Sequence, residues 1–137
     1  MMDKQKMYDY IREELPEIAT RVDEQIEWME EDNSLHVTVG FPFTEFLEKM
    51  AKNREWKNSD KDLVKRVFKF FEEMYDADWK VLDVLQTTIM ECIVNREDMV
   101  GIYWGYMNEN LRKEARAVYA QMTDGKTMIA PTGEKPL

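Results

Sequence analysis

The chain has 137 residues, of which 44% are hydrophobic and 12% aromatic, and it carries a net charge of −9 at pH 7. This composition excludes a disordered chain, and the presence of only 5 Gly and 4 Pro argues against an all-β protein. The acidic balance argues against binding to nucleic-acid phosphates, because that requires clustered Lys and Arg.

Two helices are predicted at the start of the chain, over 3–14 and 16–31, separated because Pro16 disfavours helix at the residue before it. In the second helix and at Leu15 just before it, five apolar residues share one side at helical spacing. These are Leu15, Ile18, Val22, Ile26 and Met29. Glutamates occupy another side, and Trp28 projects among them, one turn from Glu24 and Glu31.

Most of the negative charge belongs to these two helices. The first 32 residues contain 11 Asp and Glu against 4 Lys and Arg, a net charge of −7, which leaves −2 for the other 105 residues. A concentrated acidic end is typical of a protein that binds a cationic partner or that has a solvated face.

The segment 35–41 alternates apolar and polar residues without a partner strand, so we expect it to be irregular or extended. Helices then follow at about 43–53, 59–76, 78–95 and 106–121, with Ser59 as a cap and a turn region at 96–105. The sequence therefore predicts an all-α domain over 1–122, with five to six helices in antiparallel pairs around a central apolar hairpin. Residues 123–137 are rich in Gly, Pro and polar residues and are predicted to form a flexible tail.

A search for catalytic or metal-binding residues finds few candidates. His36, the one histidine, is flanked by apolar residues and is interpreted as a half-buried structural histidine. Cys92 lies on the inward side of its helix and behaves there as a small hydrophobe. No Cys or His pattern of a metal site occurs. The carboxylates Glu72, Glu73 and Glu91 lack a committed basic neighbour. We expect no enzyme activity, no metal and no cofactor.

The sequence also bears on the compartment. The single cysteine excludes an internal disulfide and favours a reducing environment. No secretory signal pattern is visible, and no stretch approaches the length of about 18 apolar residues that a membrane span needs. A cytoplasmic protein is expected. The one basic cluster, formed by Lys61, Lys65, Arg66 and Lys69, is interpreted as an ordinary solvated face.

The acidic side of the second helix is the best candidate binding surface. An aromatic anchor among carboxylates suits a partner rich in Lys and Arg, because the ring offers buried area and a cation–π face. The predicted partner-binding residues are Asp23, Glu24, Glu27, Trp28, Glu30 and Glu31. The alternative is that a neighbouring helix covers Trp28 while the acids face water.

Several segments carry a family resemblance. They are Glu-Leu-Pro-Glu-Ile at 14–18, Leu35-His36-Val37 leading to Phe43, Phe46 and Leu47, the run 67–72, and 81–85 continuing to Ile89-Met90-Glu91. Over roughly 10–120 the chain resembles a family of small bacterial cytoplasmic proteins of unassigned function. Some of these are similar to immunity proteins of polymorphic-toxin or contact-dependent-inhibition loci. The resemblance implies no site residues.

The resemblance and the acidic face lead to the same expectation. It is a monomeric immunity protein, or antitoxin, that neutralises a cognate toxin with a basic surface, such as a nuclease, by stoichiometric binding, with no nucleic-acid or membrane partner. Three alternatives stay open: an acidic nucleic-acid mimic from a phage or defence system, a helical adaptor, and an enzyme that uses Glu72, Glu73 or Glu91.

Overall fold

The computed structural model describes residues 1–29, 34–53 and 55–128. These residues form an all-helical structure and contain no strand, as the sequence predicted. The first four helices are α1 (Lys4–Glu14), α2 (Pro16–Met29), α3 (Phe41–Lys52) and α4 (Asn58–Tyr75). Within the described ranges, no helix is long and apolar enough to cross a membrane.

Three further helices complete the described part of the chain. Helix α5 spans 79–94 in three consecutive segments, Trp79–Val84, the π-helical Leu85–Met90, and Glu91–Val94. Helix α6 (Glu97–Tyr103) continues into the 3-10 turn Trp104–Tyr106, and α7 is Glu109–Met122. The described residues thus hold seven helices where five to six were expected, because the predicted turn region 96–105 is largely helical.

The core is built around α4. Its apolar arc is broad, and six of its side chains are buried: Val64, Val67, Phe68, Phe70, Phe71 and Met74. Phe43 of α3 stacks on Phe70 at 5.1 Å between ring centroids, and Tyr103 of α6 stacks on Phe68 at 5.4 Å. Because aromatic groups from two helices pack on it, α4 is buried on more than one side, as its wide apolar arc predicts.

The junction of α1 and α2 forms where the sequence predicted a break. Leu15 leaves the helical region with φ −129° and ψ 53°, and Pro16 begins α2. Arg66 of α4 holds this junction, since its guanidinium donates to the carbonyl of Glu14 at 2.8 Å and to Oε2 of Glu17 at 2.6 Å. Arg66 is therefore a structural contact and not part of a merely solvated basic face.

The prediction of an irregular or extended segment at 35–41 is wrong. Residues His36–Gly40 form a π-helical turn that leads directly into α3. Thr38 and Val39 are fully buried, and the Thr38 hydroxyl lies 2.9 Å from the hydroxyl of Tyr8. Burial of these side chains overrides the β preference of the β-branched residues, which is a weak and context-dependent signal.

The two π-helical segments contact each other closely. A Cβ added to Gly40 would lie 2.6 Å from Cγ2 of Thr88, so only glycine fits this approach without a shift. Wide π turns are rare and appear often at functional sites. Here they bring the start of α3 against the middle of α5.

The predicted cap of α4 is also wrong. The helix begins at Asn58, and the backbone N–H of Lys57 donates to Oδ2 of Asp60 at 2.9 Å. The side chain that caps this helix start is therefore that of Asp60 and not that of Ser59. A carboxylate at the third helical position can reach back to the N–H of the residue that precedes the helix, and the positive end of the helix dipole favours its charge there.

The end of the described chain turns back on the fold. Asp124 and Gly125 have positive φ values of 56° and 90°, and the Gly125 N–H donates to the carbonyl of Ala120 at 2.7 Å. Met128 is buried. The boundary of the predicted domain at 122 and the flexible tail at 123–137 stay predictions, and residues 129–137 lie outside the described residues.

Candidate functional site

The outward face of α2 carries the residues that the sequence singled out. Ile18 and Val22 are buried, whereas Asp23, Glu24 and Glu27 are exposed. The alternative prediction, in which a neighbouring helix covers Trp28, is wrong, because 75% of this residue is exposed. Glu30 and Glu31, the other two predicted contacts, lie outside the described residues.

Trp28 forms one side of a groove whose other side comes from the start of α3. Phe41, itself 49% exposed, and Val37 line the groove opposite the α2 residues, and the space amounts to about 450 Å³. The α2 contribution is Arg21, Glu24, Gln25 and Trp28. Sequence reasoning missed Phe41, because its exposure depends on how the start of α3 packs against α2, which no local pattern indicates.

Ion pairs occupy part of this surface. Arg21 binds both carboxylate oxygens of Glu45 on α3 at 3.0 Å, and its Nη1 lies 3.4 Å from Glu24. The pKa of Arg21 is raised mainly by its hydrogen bond to Glu45. Arg12 pairs with Asp23 at 3.1 Å. Among the described residues, Glu27 has no ion pair, so its charge is fully available to a partner.

His36 is held by hydrogen bonds at both ring nitrogens. Nδ1 lies 2.5 Å from the hydroxyl of Thr88, and Nε2 lies 2.9 Å from Oδ2 of Asp83. Its side chain is 35% exposed. The prediction of a half-buried, satisfied histidine is confirmed. Its partners Asp83 and Thr88 are about 50 residues away, and no local pattern identifies them.

A family model described as a domain of unknown function, DUF7674, matches residues 8–124. The chain belongs to the DUF7674 family. The matched region includes the whole of α2 and the start of α3, so the groove beside Trp28 lies within the DUF7674 domain. No curated protein and no solved structure matches the chain.

The other chemical candidates in this DUF7674 domain are dispersed. Glu72 and Glu91 are half-buried and Glu73 is exposed, and the carboxylate that pairs with His36 is Asp83. Burial and the nearby Glu48 carboxylate raise the pKa of the Cys92 thiol to about 11. Within 1–29, 34–53 and 55–128, no group of three or more His, Cys, Asp or Glu side chains is placed to hold a metal ion.

Proposed function

We propose that this protein is an immunity protein that neutralises a cationic toxin, such as a nuclease, by binding it stoichiometrically through the outer face of α2. The observation that carries the proposal is the exposure of Trp28, which is 75% exposed and shares a groove with Phe41 and the carboxylate of Glu24. Membership of the DUF7674 family is compatible with this role, and the resemblance to immunity proteins supports it.

The energetics favour Trp28 as an anchor. Each exposed Å² of apolar surface that a partner covers contributes about 25 cal/mol, so a tryptophan that is open in the free protein can supply several kcal/mol to a complex. Tryptophan is also among the residues that most often dominate interfaces. Glu24 lines the same groove as Trp28, and Asp23 and Glu27 are exposed on the same helix, so these carboxylates would steer a partner of opposite charge.

The same surface supports a protein partner over the role of a nucleic-acid mimic. A mimic needs uninterrupted rows of negative charge, whereas Arg12 and Arg21 neutralise Asp23 and Glu45 on this side of the molecule. A largely apolar groove of about 450 Å³ can accommodate side chains of a protein partner.

A charge-reversal experiment tests the proposal. The wild-type protein and a Glu24→Lys/Glu27→Lys variant are immobilised and exposed to native host lysate at low salt, and the bound proteins are identified by mass spectrometry. We expect the wild type to retain one basic protein, encoded by a neighbouring gene, at a 1:1 ratio. The variant should bind that protein with an association rate lower by about 10-fold or more, because it repels the partner.

The control carries the same charge change elsewhere. Glu97→Lys/Glu109→Lys places two lysines on exposed positions of α6 and α7, so the net charge equals that of the first variant. It should bind like the wild type. Equal binding by both variants would contradict the assignment of the α2 face, and failure of the wild type to retain any stoichiometric partner would contradict the immunity role itself.

A further inference from the structure

A second groove, separate from the one at Trp28, lies where the start of α5 faces the residues that precede α3. It is lined by Lys4, Ser34, Leu35, His36, Trp79, Lys80 and Asp83 and encloses about 320 Å³. This volume is at the lower end of the range of small-molecule sites, which is about 300 to 1,000 Å³. The groove is therefore of the size of a small ligand and not of a folded partner.

One wall of this groove is an open aromatic ring. Trp79 is 73% exposed, and Nζ of Lys80 lies 5.8 Å from the centre of its indole. With so much of the residue exposed, the ring surface remains accessible to a planar group even with Lys80 beside it. An indole in this state binds flat rings by stacking.

The lining of the groove holds two lysines and one carboxylate, a net charge of +1 with the histidine neutral, although the protein is acidic. Lys4 and Lys80 contribute two positive charges, and neither has an ion pair within the described part of the chain. The one carboxylate of the lining, Asp83, is already engaged by Nε2 of His36 at 2.9 Å. In a chain of net charge −9, two lysines on one small groove select an anionic group.

His36, one of the lining residues, is held in place by hydrogen bonds. The His36 ring is fixed from both sides, by Asp83 and by the hydroxyl of Thr88, and Thr88 in turn packs against Gly40. His36 begins one π-helical turn and Thr88 lies in the other. Side chains that are held by such a network need little reordering when a ligand binds.

We propose that this groove binds a small ligand that combines a flat ring with an anionic group. The ring stacks on Trp79, and a carboxylate or phosphate pairs with Lys4 and Lys80. The carboxylate of Asp83 offers an acceptor to the edge of the ring, since both nitrogens of His36 are already engaged. This inference does not depend on the proposed immunity function, because the groove shares no lining residue with the surface at Trp28.

Isothermal titration calorimetry and amide chemical shifts of the full chain test the proposal with defined probes. Adenosine 5′-monophosphate and indole-3-acetate each carry a ring and an anion, the first from a nucleotide and the second from an aromatic acid. Adenosine and inorganic phosphate each carry one of the two features. We expect at least one combined probe to saturate the protein, with shifts at Trp79 and Lys80, and each single-feature probe to bind about 10-fold or more weakly.

Variants then distinguish binding of a probe in this groove from non-specific binding elsewhere on the protein. Trp79→Ala and Lys4→Ala/Lys80→Ala should each weaken the better probe by about 10-fold or more. Trp28→Ala and Lys61→Ala/Lys65→Ala are the matched controls and should bind like the wild type. The proposal is overturned if neither combined probe saturates the protein at millimolar concentration, or if the probe binds Trp79→Ala as well as the wild type.

Discussion

Trp28 and Trp104 are the same residue type in opposite environments. Trp28 is mostly in water, whereas Trp104 is 5% exposed, with the guanidinium carbons of Arg112 and Arg116 lying 5.1 and 5.2 Å from its ring centre. Truncating the first side chain removes little packing, and truncating the second leaves a cavity. The two positions therefore separate a proposed binding residue from a core residue.

We expect Trp28→Ala to change the free energy of unfolding by less than about 0.5 kcal/mol. Trp104→Ala should lower it by about 3 to 5 kcal/mol. Urea denaturation followed by circular dichroism measures both. A loss of several kcal/mol in Trp28→Ala would mean that the ring supports the fold and is not free to serve as an anchor.

The Cys92 thiol should be unreactive at neutral pH. Burial and the carboxylate of Glu48, with Oε1 at 3.6 Å from Sγ, raise its pKa to about 11, so that little thiolate is present at pH 7. We expect alkylation by iodoacetamide to be slow at pH 7 and to accelerate up to about pH 11. The urea-unfolded chain is the control and should react at the rate of an ordinary thiol. Equally fast reaction of the folded protein would contradict the raised pKa of this half-buried thiol.

At the scale of elements, Arg66 is the contact that joins α4 to the α1–α2 junction. Besides Glu14 and Glu17, it binds Oδ2 of Asp62 at 2.9 Å through Nε. We expect Arg66→Ala to lower the free energy of unfolding by about 1 to 2 kcal/mol, since these hydrogen bonds are charge-assisted but partly exposed. Lys65→Ala, one residue earlier and exposed, should be nearly neutral in the same denaturation experiment.

The contribution of Arg66 to the free energy of unfolding should depend on pH. Its hydrogen bond holds the pKa of Glu17 below the usual value of 4.5, so the unfolded chain binds a proton at a higher pH than the folded one does. The stabilisation is therefore complete above pH 4.5 and is lost as the pH falls through the lowered folded pKa. The difference in unfolding free energy between wild type and Arg66→Ala should shrink over that range, and a constant difference would mean that Glu17 is not the partner that matters.

The contact between the two π-helical segments gives a second prediction for an element. Gly40→Ala should lower the free energy of unfolding by about 1 to 3 kcal/mol, because its Cβ would lie 2.6 Å from Cγ2 of Thr88. Gly101→Ala in α6 is the control. Its Cβ meets no atom within 4 Å among the described residues, and alanine favours helix by about 0.5 to 1 kcal/mol, so this variant should be more stable.

A double variant shows whether the clash has the stated origin. Thr88→Ser removes the methyl group that a Cβ at Gly40 would meet and keeps the hydroxyl that bonds His36. Gly40→Ala/Thr88→Ser should therefore recover part of the stability lost in Gly40→Ala. If the two changes were simply additive in thermal denaturation, the approach of these segments would not be the limiting contact.

At the scale of the whole molecule, the charge is distributed unevenly, with −7 of the net −9 in the first 32 residues. For the proposed complex with a cationic partner, we expect the association rate to fall steeply between low salt and about 0.15 M salt, where the Debye length is about 8 Å. The dissociation rate should change little, because it depends on side chains such as Trp28 that would become buried in the complex. Stopped-flow mixing at several salt concentrations measures both, and a salt-independent association rate would contradict steering by the acidic end.

The helical class, the break at Pro16 and the core of α4 could be predicted because each follows from local periodicity or from proline geometry. The apolar side and the acidic side of α2 were predicted from the same helical periodicity. Trp28 was found as a residue out of place on its helix, but its exposure depends on where α3 packs, which no local pattern determines.

The missed features are those set by distant residues. The π-helical turn at 36–40 forms because Thr38 meets Tyr8 and Gly40 meets Thr88. Trp79 stands at the first position of α5, and nothing nearby in sequence links it to Lys4 or His36. Contacts over 30 to 80 positions do not leave a periodic signal in one sequence.

The placement of the four tryptophans has an optical consequence. Trp28 and Trp79 each stand at one groove in contact with water, whereas Trp104 is buried and Trp56 is tied by its Nε1 to the carbonyl of Met50 at 2.9 Å. Indole emission shifts to shorter wavelength when water leaves the ring. Replacing either exposed tryptophan by phenylalanine leaves the other as a local fluorophore, so the unlabelled protein can report by the colour of its emission which of its two grooves is filled.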